Sequence, residues 1–112
     1  MQISTQDHAG CRVVTVDDAR IDAAVAIAFK DRMRELTDAG PIHIVLDLSA
    51  VDFIDSSGLG AIVAAMKQLG GGRKLALAGL SDNVEKVFRL TRMDTVFAIH
   101  SSADAAVQAH AA

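Results

Sequence analysis

The chain has 112 residues, 51% of them apolar and 4% aromatic, with a formal net charge of −3. One folded domain spanning 1–112 follows, and a disordered tail is excluded. The acidic balance argues against nucleic acid and anionic membrane as partners, and the absence of Trp and Tyr against a base- or sugar-stacking platform.

In chain order, Ile3–Asp7 reads as a weak strand, Ala9-Gly10 as a turn and Arg12–Val16 as a stronger strand, so the three predict a hairpin. Cys11 is the only cysteine. It cannot form an internal disulfide, and it sits in apolar company as a small buried hydrophobe. The start MQISTQDH has neither a basic cluster nor an apolar stretch. Together these features predict a reducing, cytoplasmic setting.

Asp22–Ala39 is predicted as a helix. Its apolar stripe is Ala23, Ala26, Ile27, Met33 and Leu36, its N-cap Asp22 and its stop Gly40-Pro41. IHIVLDL (42–48) alternates poorly and is rich in Ile, Val and Leu, which predicts a strand buried on both faces. A second helix is expected from about Ser57 to Leu69, with Leu59, Ile62, Val63 and Met66 on its apolar face. The run GGG (70–72) ends it. Its longest apolar run, Ala61–Met66, is far short of the roughly 20 residues that span a membrane. Lys74–Ala78 is a strand, Asp82–Leu90 a short helix, Val96–Ile99 a strand and Ser101–Ala109 a last helix. This alternation predicts an α/β fold. A mostly parallel five-stranded sheet is opened by an antiparallel hairpin and covered by about four helices.

The chemistry concentrates at DSSGLG (55–60). Asp and Ser are preferred N-caps, so the plainest reading of DSS is a helix start. Three details count against that as the whole account. No Glu or Gln stands three residues after Asp55, Ser56 or Ser57, so there is no capping box. Gly58 and Gly60 lie in the first turn, where each costs up to about 1 kcal/mol relative to Ala; their bareness would let another backbone approach. The segment also follows a buried strand at its carboxyl end, where open α/β sheets place ligand chemistry. These features describe a serine at an uncluttered helix N-terminus, suited to modification by phosphate and to docking that the modification controls.

Other chemistries fail on spacing. A nucleophile elbow needs Gly where Ile54 or Asp55 stands. GGGRKL lacks the hydroxyl of a phosphate-binding loop, and Val63 stands where a G-x-G-x-x-G motif needs its third Gly. His8, His43, His100 and His110 show no ligand spacing, so no metal or other cofactor is expected. Asp17, Asp18 and Asp47 resemble a phospho-receiver site only superficially, because one helix fills a gap that needs a further strand and helix. No base lies at readable spacing from either serine, so no catalytic residue and no enzyme activity is expected.

DFIDSSGLGAIVAAMKQL resembles the sulfate-transporter/anti-sigma-antagonist (STAS) domains, specifically the free-standing bacterial anti-sigma factor antagonists. RIDAAVAIAFKDRMREL, IVLDLSAVDFIDSSGLG and LALAGLSDNVEKVFRLTRMDTVFAIHSSADAAV extend the resemblance over nearly the whole chain. It implies that Ser56 is the phosphoacceptor. It implies as partners an anti-sigma factor that is also a serine kinase of the histidine-kinase-like ATPase type, and a metal-dependent serine phosphatase. The unphosphorylated domain would bind the kinase and free a sigma factor. Ile21 and Asp22 would join Asp55, Ser56, Ser57, Gly58, Leu59 and Gly60 at the partner surface. The alternative is a STAS subunit of a transport or scaffolding complex in which Ser56 is never phosphorylated. One departure stands out: relatives often carry Gly where Arg92 stands.

Overall fold

The computed structural model describes residues 1–110. A hairpin opens it, formed by β1 (Ile3–His8) and β2 (Cys11–Val16), with His8 paired to Cys11. The two-residue loop Ala9-Gly10 has positive φ at both positions, as the strand twist requires of a type I′ turn. Two further parallel strands, β4 (His43–Asp47) and β6 (Lys74–Ala78), carry the sheet on to the edge strand β7 (Ala98–His100). The order is β1-β2-β4-β6-β7, antiparallel only at the hairpin. The expected five-stranded sheet and four helices are therefore present.

Helices α1 (Ala26–Thr37), α2 (Ser56–Leu69) and α3 (Asp82–Leu90) cover one face. Phe29, Met33, Ile62, Ala65, Val84 and Phe88 meet Val14, Ile44, Leu46, Leu75 and Leu77 there. Each large side chain so buried contributes about 1.5–3 kcal/mol. Among the described residues, the other face is covered by α4 (Ala103–His110) alone, over Val13, Val45 and Ala78. Ile44 and Leu46 face one layer and Val45 the other, which explains the unbroken apolar run of β4.

Several expectations are corrected. Helix α1 begins at Ala26, and Asp22 does not cap it. The Ala24 amide donates to the Asp22 carboxylate (3.1 Å) and the Val25 amide to the Asp22 carbonyl (3.1 Å), closing a turn before the helix. The buried stripe of α1 is Ala26, Phe29, Met33 and Thr37, while Ile27 is 70% exposed. Helix α2 buries Gly58, Ala61, Ile62, Ala65 and Leu69; the expected Leu59, Val63 and Met66 flank this stripe, partly buried against the core. The last strand starts at Ala98, because Met93–Thr95 form a 3₁₀ turn that ends in a hydrogen bond from the Val96 amide to the Met93 carbonyl. The final helix starts at Ala103, with Ser102 accepting from the Ala105 amide at 3.1 Å.

The sequence reading missed a second sheet altogether. Strands β3 (Arg20–Ile21) and β5 (Phe53–Ile54) pair in parallel, two residues each. Each is too short to show a period, and only the fold brings them together.

Candidate functional site: the N-terminus of helix α2

Helix α2 starts directly after β5, and its N-cap is Asp55, not Ser56 or Ser57. The Asp55 backbone is extended, and its carboxylate accepts from the Gly58 amide at 2.8 Å. The other carboxylate oxygen accepts from the Ala23 amide at 3.1 Å, across the gap to the segment before α1. One side chain therefore caps α2 and ties the α1 approach to it. The Gly58 amide above all, and the Ala23 and Ser57 amides after it, hold the Asp55 carboxyl below its ordinary value against the opposing effect of desolvation.

The two glycines have different tasks. A Cβ on Gly58 would lie 1.9 Å from the Ile21 carbonyl oxygen and 2.7 Å from its carbon. Gly58 is bare because β3 crosses α2 at that point, so the expectation that its bareness serves a partner is corrected. A Cβ on Gly60 would meet nothing within 4 Å, and Gly60 is exposed. Gly60 alone matches the expected open approach.

The expected site residues do converge, at different depths. Ser56 and Ser57 occupy the first two positions of α2, both exposed. Asp55 and Asp22 are half-buried beside them, and Leu59 is partly buried against the core. Ile21 and Gly58 are buried, so they shape this surface from below and offer it no side chain. The sequence reading did not single out Arg20 and Phe53. The Arg20 guanidinium lies 4.2 Å from the Phe53 ring centroid and its Nε 3.3 Å from an Asp22 carboxylate oxygen. Phe53 is 40% exposed, so an aromatic face with a cation above it lies on β5, two residues before the Asp55 cap. An apolar residue next to DSSG was the available signal for Phe53; Arg20 had none.

Among the described residues, no group of three or more His, Cys, Asp or Glu side chains is placed to hold a metal ion. Among the same residues, no helix is long and apolar enough to cross a membrane. Cys11 is buried, which pushes its thiol up. Arg92 has φ +60°, in the left-handed region, so the Gly-to-Arg departure does fall on a backbone that favours glycine.

Comparison with known proteins agrees with this architecture. The anti-sigma-F factor antagonist RsfB of Mycobacterium tuberculosis is 27% identical over 100 residues, 89% of this chain and 81% of that one. An anti-sigma-B factor antagonist of Listeria monocytogenes is 34% identical over 80 residues, 70% of each chain. A crystal structure of an anti-sigma factor antagonist from Mycobacterium paratuberculosis superposes with a TM-score of 0.86 at 29% identity, covering 96% of this chain and 92% of that one. The STAS domain family model matches residues 2–106. By sequence and by fold, the chain belongs to the STAS domain family.

Proposed function

We propose that this protein is an anti-sigma factor antagonist and a phospho-switch, with 1–112 as its single STAS domain. In the unphosphorylated form it binds an anti-sigma factor that is also a serine kinase of the histidine-kinase-like ATPase type, and a sigma factor is released. Phosphorylation of Ser56 ends that binding, and a metal-dependent serine phosphatase restores it. The protein itself is a cytoplasmic binding module without catalysis, cofactor, nucleic acid or membrane partner. The surface that docks is formed by Asp22, Asp55, Ser56, Ser57, Leu59 and Gly60.

The observation that carries this reading is the position of Ser56. Its exposed hydroxyl stands at the first residue of α2, between a carboxylate locked into the fold and an open glycine one turn on. Asp55 already occupies the Gly58 amide. A phosphate on Ser56 therefore does not settle into the helix N-terminus. It stands outward beside a fixed carboxylate, in the space that Gly60 leaves open. Phosphate then blocks docking directly, and the fold stays as it is. Desolvating it against a partner costs several kcal/mol, and each 1.4 kcal/mol is about a tenfold loss of affinity.

Two measurements test this. Intact-mass spectrometry of the protein from its own cells, with phosphopeptide mapping, should find one phosphate, on Ser56. Ser56→Asp should bind the purified kinase at least about tenfold more weakly, with unchanged melting and amide shifts away from the site. Absence of phosphate, or its placement on Ser57, Ser81 or Thr91, would overturn the assignment and favour the transport or scaffolding reading. Undiminished affinity of the phosphorylated protein, or shifts spread through the sheet, would overturn direct blocking.

A further inference from the structure

The second face of the sheet depends on one short helix. Helix α4 has eight residues, fewer than the roughly 12–15 an isolated helix needs to persist in water. It is held by its contacts, which are small: Ala103, Ala106 and Val107 lie over Val13, Val45 and Ala78. This interface is far poorer in large side chains than the one on the opposite face.

At the C-terminal end of α4 the contact changes character. His110 stacks on His43 of β4, with ring centroids 4.2 Å apart and planes at 16°. It meets His100 of β7 edge-on, at 5.9 Å and 76°. Nδ1 of His43 and Nε2 of His100 are buried without a hydrogen-bond partner among the described residues. A neutral imidazole tolerates this, because an unprotonated nitrogen has no proton to place. A protonated one would put a buried charge where nothing accepts it.

The surrounding charges sharpen the point. Lys74 of β6 faces the stack, and Arg73, just before β6, lines the same groove as His110. The Arg73 guanidinium is turned to the Pro41 and Thr37 carbonyls, without a carboxylate. The nearest acids on the elements involved, Asp47 of β4 and Asp104 of α4, gather with Ser101 and Ser102 at the opposite end of α4. On the neighbouring strand β2 the residue beside His43 is the buried Cys11, so among the described residues the charged groups beside His110 are the cations Lys74 and Arg73.

We propose that His110, stacked on His43 and edge-on to His100, is a proton-sensitive latch, which holds α4 on the sheet while its ring is neutral and releases it when that ring takes up a proton. Release uncovers Val13, Val45 and Ala78, on the face opposite α2, so it acts independently of the Ser56 surface. The direction follows from the environment. Burial first, then His43, His100 and Lys74, hold His110 below its ordinary value of 6.5. The open state then binds protons more tightly than the docked one. Docking is at full strength above that ordinary value and weakens as pH falls below it.

Amide hydrogen exchange between pH 7.5 and 5.5, corrected for intrinsic rates, tests the latch. Protection of α4 in the wild type should hold down to about pH 6.5 and then fall, by up to about tenfold in all by pH 5.5 for the one proton taken up, while β4 and β6 hold theirs. In His110→Phe, which keeps a ring against His43 but cannot titrate, α4 protection should not change with pH. Constant protection of α4 in the wild type would overturn the proposal. So would an equal fall in His110→Phe, or simultaneous loss of protection in the sheet. Should His110→Phe not fold, NMR titration of the wild-type imidazoles decides. His110 must titrate below the ordinary imidazole value of 6.5, and titration at that value or above it refutes the latch.

Discussion

The sharpest test of the site's construction is to add one methyl group at each of its two glycines. In Gly58→Ala the new Cβ would stand 1.9 Å from the Ile21 carbonyl oxygen. That neighbour is backbone, held by the β3–β5 pairing and by a 3.4 Å bond from the Asp55 amide to the same carbonyl. It cannot rotate away as a side chain would. Either β3 lifts off α2, which strains the Asp55 link to Ala23, or the first turn of α2 unwinds, which breaks its link to Gly58. Overpacking of this kind costs about 1–3 kcal/mol, and the clash here belongs at the upper end of that range. Replacing Gly by Ala in a helix returns up to about 1 kcal/mol. The net expectation is a loss of about 2 kcal/mol, or roughly 8 °C in Tm for a domain of this size. Gly60→Ala carries the same propensity gain and meets nothing within 4 Å, so it should be neutral or more stable by up to about 1 kcal/mol. Urea denaturation at pH 7.5, with Tm from circular dichroism, reads both. Kinase affinity, measured alongside, should fall at least about tenfold for Gly60→Ala in spite of its stability. Wild-type stability in Gly58→Ala would refute the crossing of β3 over α2. Undiminished affinity in Gly60→Ala would refute close approach at that glycine.

Three further outcomes follow from the same geometry. Ser57→Ala should change stability by no more than about 0.5 kcal/mol by urea denaturation, because the exposed Ser57 side chain is not the cap. Arg92→Gly should stabilise by about 1 kcal/mol, since the left-handed backbone at φ +60° then carries no Cβ; an unchanged denaturation midpoint would show that the turn relaxes around arginine. Asp55 has a carboxyl held below its ordinary 3.8, so its contribution is present above that pH and lost as the pH falls below it through the lower folded value. In Asp55→Asn that part of the acid-side dependence should vanish from a stability-versus-pH profile, and an identical slope in both proteins would refute it.

Much of this protein is determined by short stretches acting alone. IVL at 44–46 announces a strand buried on both faces because unbroken β-branched and aliphatic residues leave no wet side. Ala9-Gly10 between two strands predicts the hairpin, and the short helix expected over Asp82–Leu90 is α3 with those bounds. The DSSGLG segment locates the exposed serine because cap chemistry, glycine and the end of a buried strand coincide within a few residues. Tertiary structure decided everything that depends on a partner far along the chain. β3 and β5 lie some thirty residues apart, and neither has a period of its own. Asp22 looks like a cap, but it takes the Ala24 and Val25 amides in a separate turn, while Asp55 takes the Ala23 amide, and α1 starts later. The two glycines are equivalent as letters, and only the Ile21 carbonyl makes one a packing requirement and the other an opening. The three histidines lack ligand spacing in sequence, and they meet only because β4, β7 and α4 converge. Local propensity and periodicity act over a turn or a strand, whereas steric exclusion and hydrogen-bond competition between distant segments exist only after the chain has folded.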